Sequence, residues 1–210
     1  MLWLSAETEA TMTWFLRNWM YAGFIAGLFL LAITPILADA LVLPVLFVYL
    51  QLPAYMLHQL EEHHDDRFRR FINDGVAGVR EALSTPAVVV INVGVWVVNL
   101  IALYLARFVD LGWGLIAIYL TLINALVHIL AAMVQRRYNP GLVTAVVLFL
   151  PVGLYALMVI SRMPDVTTAM HVVALVFAIL AHAAIGVHVK RRAATLSAGA
   201  ARTRADQSST

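Results

Sequence analysis

The sequence contains no cysteine among its 210 residues. This absence excludes disulfide bonds, thiolate metal sites, iron–sulfur clusters and cysteine nucleophiles. Any metal ion bound by this chain must therefore take histidine, aspartate, glutamate or water as ligands.

Charged residues are scarce as well. They make up 12% of the chain, and hydrophobic residues make up 62%, whereas soluble domains have about 25% and about 45–50%. Since no polar stretch is long enough to fold separately, we predict one all-α transmembrane domain over residues 1–192. The net charge is only +2, and the basic residues cluster at helix ends, which indicates membrane topology rather than nucleic-acid binding.

Six apolar runs have about the 20 residues that a membrane-spanning helix needs. They predict spans at about 18–37, 41–62, 86–106, 115–134, 142–160 and 168–189. Residues 63–85 mix arginines with apolar residues and predict an amphipathic surface helix. Residues 193–210 are small and polar, so we predict a disordered cytoplasmic tail.

The basic residues also predict the orientation, because cytoplasmic loops are enriched in lysine and arginine. Eleven such residues follow spans two, four and six, namely Arg67, Arg69, Arg70, Arg80, Arg136, Arg137, Lys190, Arg191, Arg192, Arg202 and Arg204. The opposite turns contain only Arg107 and Arg162. We therefore expect a multi-pass plasma-membrane protein with both termini in the cytoplasm.

The second span ends in an unusual cluster of ionisable residues, His58-Gln59-Leu60-Glu61-Glu62-His63-His64-Asp65-Asp66. His58, Glu61 and Glu62 have the spacing i, i+3 and i+4, so one imidazole and two carboxylates share a helix face. A solvated helix end is the alternative explanation of this pattern.

Histidines in two other spans lie at a similar depth. His58 precedes Arg67 by nine residues, and eight residues separate His128 from Arg136 and His182 from Lys190. At 1.5 Å per residue, each imidazole lies roughly 12 Å below a basic cap. Each histidine alone could simply bond a backbone carbonyl, but their common depth favours one site, because intramembrane ionisable groups usually face the bundle interior.

We therefore predict a divalent metal site formed by His58, Glu61, Glu62, His128 and His182. Imidazole and carboxylate ligands suit zinc, iron or manganese. We expect zinc or iron, and the ligand types leave open whether one ion or two are bound. Glu61 and Glu62 are also the predicted catalytic residues, with one of them acting as general base.

Further residues are expected around this site. His64 and Asp65 belong to its rim, and Asn124 shares the helix face of His128 one turn deeper. Tyr138 and Asn139 lie in the turn Tyr138-Asn139-Pro140-Gly141 between spans four and five. An ordinary tight turn explains this segment, and contact of Tyr138, Asn139 or Thr144 with the site is the alternative.

The segment His58-Gln59-Leu60-Glu61-Glu62 resembles the signature of the HXXEE family of small bacterial membrane proteins. Asn124-x-x-x-His128, Tyr138-x-Pro140-Gly141 and His182 are similar to other recurring elements of that family. The resemblance covers about residues 40–190 and implies a bacterial inner-membrane protein with a site at these positions. It implies no particular reaction.

Two classes of function remain open. A metal-dependent enzyme acting on a lipid or other hydrophobic substrate is our leading hypothesis, as a hydrolase or, with iron, as an oxidase or hydroxylase. The alternative is a non-enzymatic protein, such as a proton-coupled transporter or a haem- or lipid-binding protein. Membrane lipids and a hydrophobic substrate are the expected partners. The sequence leaves the oligomeric state open.

Overall fold

The computed structural model describes residues 6–208, which contain helices and no β-strand. Six helices are long and apolar enough to cross a membrane, which confirms the predicted all-α membrane bundle. The helices, in chain order, are α1 (Ala6–Ala40), α2 (Leu43–His63), α3 (Arg67–Ile72), α4 (Thr85–Phe108), α5 (Leu115–Gln135), α6 (Leu142–Thr144), α7 (Leu150–Ser161) and α8 (Thr168–Ser208).

Helix α2 is the central helix and buries most of its residues. Pro44 lies in its first turn, where a missing backbone N–H costs nothing, and Pro53 lies inside it. Trp96 Nε1 of α4 donates to Gln59 Oε1 at 2.6 Å, and Gln59 Nε2 donates to Asn92 Oδ1 at 2.9 Å. These bonds hold α2 against α4 and orient the end of α2 that carries the charged cluster.

The outer surface of the bundle is apolar, whereas several polar side chains are buried. Phe29, Ile36, Val90 and Val134 are exposed, with 69% to 82% of their surface accessible. Hydrocarbon tails can cover such side chains, and polar groups in a membrane must find partners inside the protein. The distribution therefore agrees with six membrane-spanning helices.

The last helix is longer than predicted. Residues 193–208 continue α8 as a helix, in the segment where we expected a disordered tail. This stretch contains many alanines and no proline, and alanine has the highest intrinsic helix propensity.

The segment after α2 is helical for a shorter length than predicted. Asp65 and Asp66 have φ values of 53° and 59°, a left-handed conformation that aspartate tolerates better than most residues. This turn ends the helix begun by α2. Helix α3 and the π-helical turn Asn73–Ala77 follow, so the helical part of the predicted amphipathic segment spans residues 67–77.

The fifth span contains an irregularity beside the charged cluster. Helix α6 leads into the π-helical turn Ala145–Phe149 before α7 begins. Pro151 lies in the first turn of α7, and because proline has no N–H it cannot complete the α-helical pattern there. The α6 end of this span, with Thr144, faces α2.

Candidate metal centre

Three residues from two helices form the centre of the site. One ligand atom from each of His58, Glu62 and His128 lies within 4.8 Å of the others, and all three residues are buried. Glu62 Oε2 lies 3.6 Å from His58 Nε2, and Glu62 Oε1 lies 3.6 Å from His128 Nε2. These separations exceed ordinary hydrogen bonds. They are close to the roughly 3.4 Å between two ligands of a tetrahedral ion bound at about 2.0–2.2 Å.

Thr144 determines which nitrogen of His58 carries its proton. The Thr144 hydroxyl donates to Glu61 Oε2 at 2.5 Å. Having used its only proton, this hydroxyl can accept from His58 Nδ1, which lies 2.7 Å away. The proton is therefore on Nδ1, and the lone pair of Nε2 points toward Glu62. Nε2 is buried and has no hydrogen-bond partner.

Asn139 has the same effect on His128. Its Nδ2 donates to the His128 backbone carbonyl at 2.8 Å, so its Oδ1, 2.7 Å from His128 Nδ1, accepts from that nitrogen. His128 is thus also protonated on Nδ1, with Nε2 directed at Glu62. Metal-binding histidines in proteins typically donate their second ring N–H to a fixed acceptor in this way.

The turn between α5 and α6 closes over both imidazoles. Gly141 has a φ of 98°, and a Cβ atom placed there would lie 2.6 Å from His128 Cε1 and 2.9 Å from His58 Cε1. Only glycine fits both this backbone conformation and this contact. The turn that the sequence explained as an ordinary connection therefore also shapes the site.

Glu61 lies outside the group of three, although we predicted it as a ligand. Its Oε1 accepts from Tyr138 OH at 2.8 Å and from Val143 N at 3.1 Å. Its Oε2 accepts from Thr144 N at 2.7 Å and from the Thr144 hydroxyl. Both oxygens thus bind the start of α6, where an N-terminal helix end favours a carboxylate. The two adjacent glutamates point to different partners.

Tyr138 is therefore a partner of Glu61. Burial and the hydrogen bond to Glu61 raise the pKa of the Tyr138 phenol from 10.0 to about 12. The phenol remains protonated, and hence a donor, throughout the neutral range.

His182 is part of the surroundings of the group. Its Nδ1 lies 2.8 Å from the Ala178 carbonyl one turn earlier in α8, which is the structural alternative that the sequence left open for a single histidine. The ring borders the same cavity as Glu62 and His128. The matched depth of the three histidines thus predicted that His182 lies near Glu62 and His128. The residues whose ligand atoms lie close to one another, however, are His58, Glu62 and His128.

His63 is closer to the centre than we expected. Its Nε2 is buried and lies 3.2 Å from Glu62 Oε2, without the direction that a hydrogen bond requires. The ring packs between Trp19 and Phe68. His63 is therefore a third imidazole beside the Glu62 carboxylate.

The other predicted residues divide into two groups. His64 contacts Tyr21 OH at 2.8 Å and Asp65 Oδ2 at 3.1 Å, which places both residues at the exposed rim as expected. Asn124 borders the cavity, and its Oδ1 is buried without a hydrogen-bond partner.

A cavity of about 650 Å³ lies against the centre. Helices α2, α4, α5 and α8 and the segment after α2 contribute its walls, which are mostly apolar. Glu62, His63, His128 and Asn139 are on its polar side. A hydrophobic molecule in this cavity would contact the carboxylate and the imidazoles directly.

A comparison with protein families matches residues 49–156 to the model of a protein of unknown function with an HXXEE motif. The chain belongs to the HXXEE family. The matched region contains His58, Glu61, Glu62, His128, Asn139, Gly141 and Thr144. In this member of the HXXEE family, the motif's histidine and second glutamate face the centre, and the first glutamate binds the start of α6. No curated protein and no solved structure matches the chain.

The sequence did not predict the contact of Gly141 with the two imidazoles, and it predicted a role of Thr144 only as an alternative. That alternative is contact of Thr144 with the site, and the Thr144 hydroxyl bonds both Glu61 and His58. A glycine after Asn139-Pro140 indicates a turn, but nothing in the local sequence shows that two imidazoles lie against it.

Proposed function

We propose that this protein is a metal-dependent membrane enzyme that hydrolyses a lipid or another hydrophobic substrate near the cytoplasmic face. The observation that carries this proposal is the group of His58, Glu62 and His128, whose ligand atoms lie within 4.8 Å of one another beside a largely apolar cavity. Two imidazoles and one carboxylate leave coordination positions for water and substrate, as in hydrolytic zinc sites.

The arrangement of the polar groups suits ester hydrolysis. A divalent ion held by the three ligands would lower the pKa of a bound water to about 7 and polarise a carbonyl oxygen. Water oxygen would add to the carbonyl carbon, and the carbon–oxygen bond to the alcohol would break. The proton lost by water would reach the alcohol oxygen, giving a carboxylic acid and an alcohol. His63 Nε2 lies 3.2 Å from Glu62 Oε2 and borders the same cavity, and it would hold that proton between the two stages.

The same three ligands also favour a second candidate. Two histidines and one carboxylate form the facial ligand set of non-haem iron oxygenases. If the bound metal is iron, oxygen-dependent hydroxylation or desaturation of the same hydrophobic substrate becomes the expected activity. The identity of the bound metal separates the two candidates.

Metal analysis of purified protein tests the proposal. We expect one equivalent of zinc or iron in the wild type and in Glu61→Gln at saturating metal, and none above background in Glu62→Gln. These adjacent substitutions remove the same charge, so a difference in metal content between the two variants reports which glutamate is a metal ligand. Zinc with fatty-acid release from 1-palmitoylglycerol supports the hydrolase, whereas iron supports the oxidative alternative. Equal metal content in Glu61→Gln and Glu62→Gln, or no metal in the wild type, would overturn the proposed site.

The orientation is part of the same proposal. We infer that the ends of α2, α5 and α8 that carry the basic residues lie in the cytoplasm, as does the N-terminus, in the inner membrane of a bacterial cell. Because the chain has no cysteine, a cysteine introduced at Arg202 or Arg162 gives a single label site. An impermeant thiol reagent should label intact cells at position 162 and not at position 202. The reverse pattern would invert the topology.

A further inference from the structure

The cavity extends along α5 on both sides of His128. Leu120 borders it and precedes His128 by eight residues, a rise of about 12 Å. Gln135 borders it seven residues after His128, a rise of about 10 Å in the opposite direction. The polar groups of Glu62 and His128 therefore lie part-way along the wall, between a deep arm and a shallow arm.

The deep arm is apolar and has limited room. Tyr55, Val95, Leu120 and Ala181 border it, and Tyr55 and Leu120 belong to a buried core cluster against which Val95 packs. The whole cavity of about 650 Å³ has the volume of roughly 20 waters at about 30 Å³ each, and a methylene group is of similar size. One acyl chain fits this space, but the two chains of a phospholipid do not.

The shallow arm lies near cations. Lys190 borders the cavity at this end, and the Arg137 guanidinium lies 5.1 Å from the ring centroid of Phe71, another wall residue. An anionic headgroup would be attracted to this end more strongly than a zwitterionic one.

We propose that the cavity binds a monoacyl lipid with an anionic headgroup, with the chain in the deep arm and the headgroup near Lys190. The ester linkage of such a molecule then lies beside Glu62 and His128. The position of the ester linkage matters only if the proposed hydrolytic function holds, so this part of the inference rests on that function. Binding of the acyl chain is a separate property and does not require the metal.

Binding of lysophosphatidylglycerols with chains of eight to eighteen carbons, measured on the full-length protein by native mass spectrometry, tests the chain site. Val95→Phe fills the deep arm, and Val97→Phe is its matched control, because Val97 lies two residues on in α4 and is 49% exposed. We expect Val95→Phe to weaken binding of the hexadecanoyl compound by at least about tenfold, the scale on which a pocket discriminates added methylenes. Octanoyl binding should change little in this variant, and Val97→Phe should bind like the wild type.

Two further comparisons complete the test. Lys190→Gln should weaken the binding of lysophosphatidylglycerol and leave the binding of lysophosphatidylcholine unchanged. Wild-type protein freed of metal by a chelator should keep the binding of both compounds. Loss of chain binding in the metal-free wild type, equal effects of Val95→Phe and Val97→Phe, or equal affinity for a diacyl phosphatidylglycerol would overturn the inference. Because metal content and lipid binding are measured separately, failure of the chain site is distinguishable from failure of the metal site.

Discussion

The two halves of the bundle differ in how they use buried space. In the half away from the basic ends, Val48, Ala102, Leu115, Ile118 and Ile160 form a tight apolar cluster with other small residues. A Cβ atom at Gly114 would collide with the Val48 side chain. In the half near the basic ends, His58, Glu62, His128 and Asn139 are buried beside a cavity of about 650 Å³.

The difference shows which part of the molecule supports the other. Helices in a membrane gain little from hydrophobic association, so close contacts between small residues hold them together. A cavity and buried polar groups oppose folding. The tight half therefore stabilises a bundle whose other half leaves space for a site. Among residues 6–208, the group that could hold a metal lies in this second half.

The largest expected effect is the loss of a ligand. His128→Ala should weaken metal binding by more than about 100-fold, because even partners outside the ligand set typically contribute about 10–100-fold. His171→Ala is the control from the tight half, where that histidine contacts Tyr119 OH at 3.0 Å. Metal content after dialysis against a chelator measures both. Equal retention in the two variants would contradict the assignment of the site to one half.

The next effect comes from the turn over the imidazoles. Gly141→Ala forces a non-glycine residue into a left-handed conformation, which costs about 1–2 kcal/mol of folding free energy. The added Cβ atom would also collide with the rings of His128 and His58. We expect a lower thermal unfolding midpoint and weaker metal binding. Gly94→Ala is the control, because an added Cβ there meets nothing within 4 Å and alanine favours the helix. A Gly141→Ala protein with wild-type metal affinity would show that the turn does not shape the site.

Thr144→Val tests how His58 is held. Valine keeps the shape but removes the acceptor for His58 Nδ1 and the donor to Glu61. We expect metal affinity to fall by about 10–100-fold while the protein remains folded. Thr34→Val, which removes a bond to the Leu30 carbonyl within α1, should not change the affinity measured by competition with a metal indicator.

A substitution in the tight half should separate stability from ligation. Gly114→Val overfills the contact with Val48 and Ala106, which typically costs about 1–3 kcal/mol. The unfolding midpoint in detergent should fall, but the metal bound per folded molecule should stay at the wild-type level. A parallel loss of metal would show that the two halves are coupled.

The smallest effect is on the pH dependence of folding stability, through Tyr138 near the surface of the site. Because the folded pKa of Tyr138 is raised from 10.0 to about 12, its neutral phenol favours the folded state. This contribution is fully present below pH 10 and is lost as the pH rises through about 12. The phenolate difference absorbance between wild type and Tyr138→Phe should show this late titration. A midpoint at the ordinary value would contradict the Tyr138–Glu61 hydrogen bond.

Several parts of this protein follow from the sequence alone. Runs of about 20 apolar residues with few charges require a membrane environment and helical backbone, so the six membrane-length helices and the all-α class could be predicted. The helical spacing of His58 and Glu62 and the common depth of His128 also predicted that these three residues lie near one another, as they do. These properties depend on local periodicity and on residue counts along single helices.

Only the tertiary structure decided that the two glutamates of the motif have different partners. Glu61 and Glu62 are chemically identical neighbours, and only the packing of α2 against α6 turns one toward Thr144 and the other toward two imidazoles. Gly141 and Asn139 belong to the site because a turn distant in sequence lies over α2. Such contacts depend on how helices rotate and pack around one another, and one helix's own sequence does not encode the position of its neighbours.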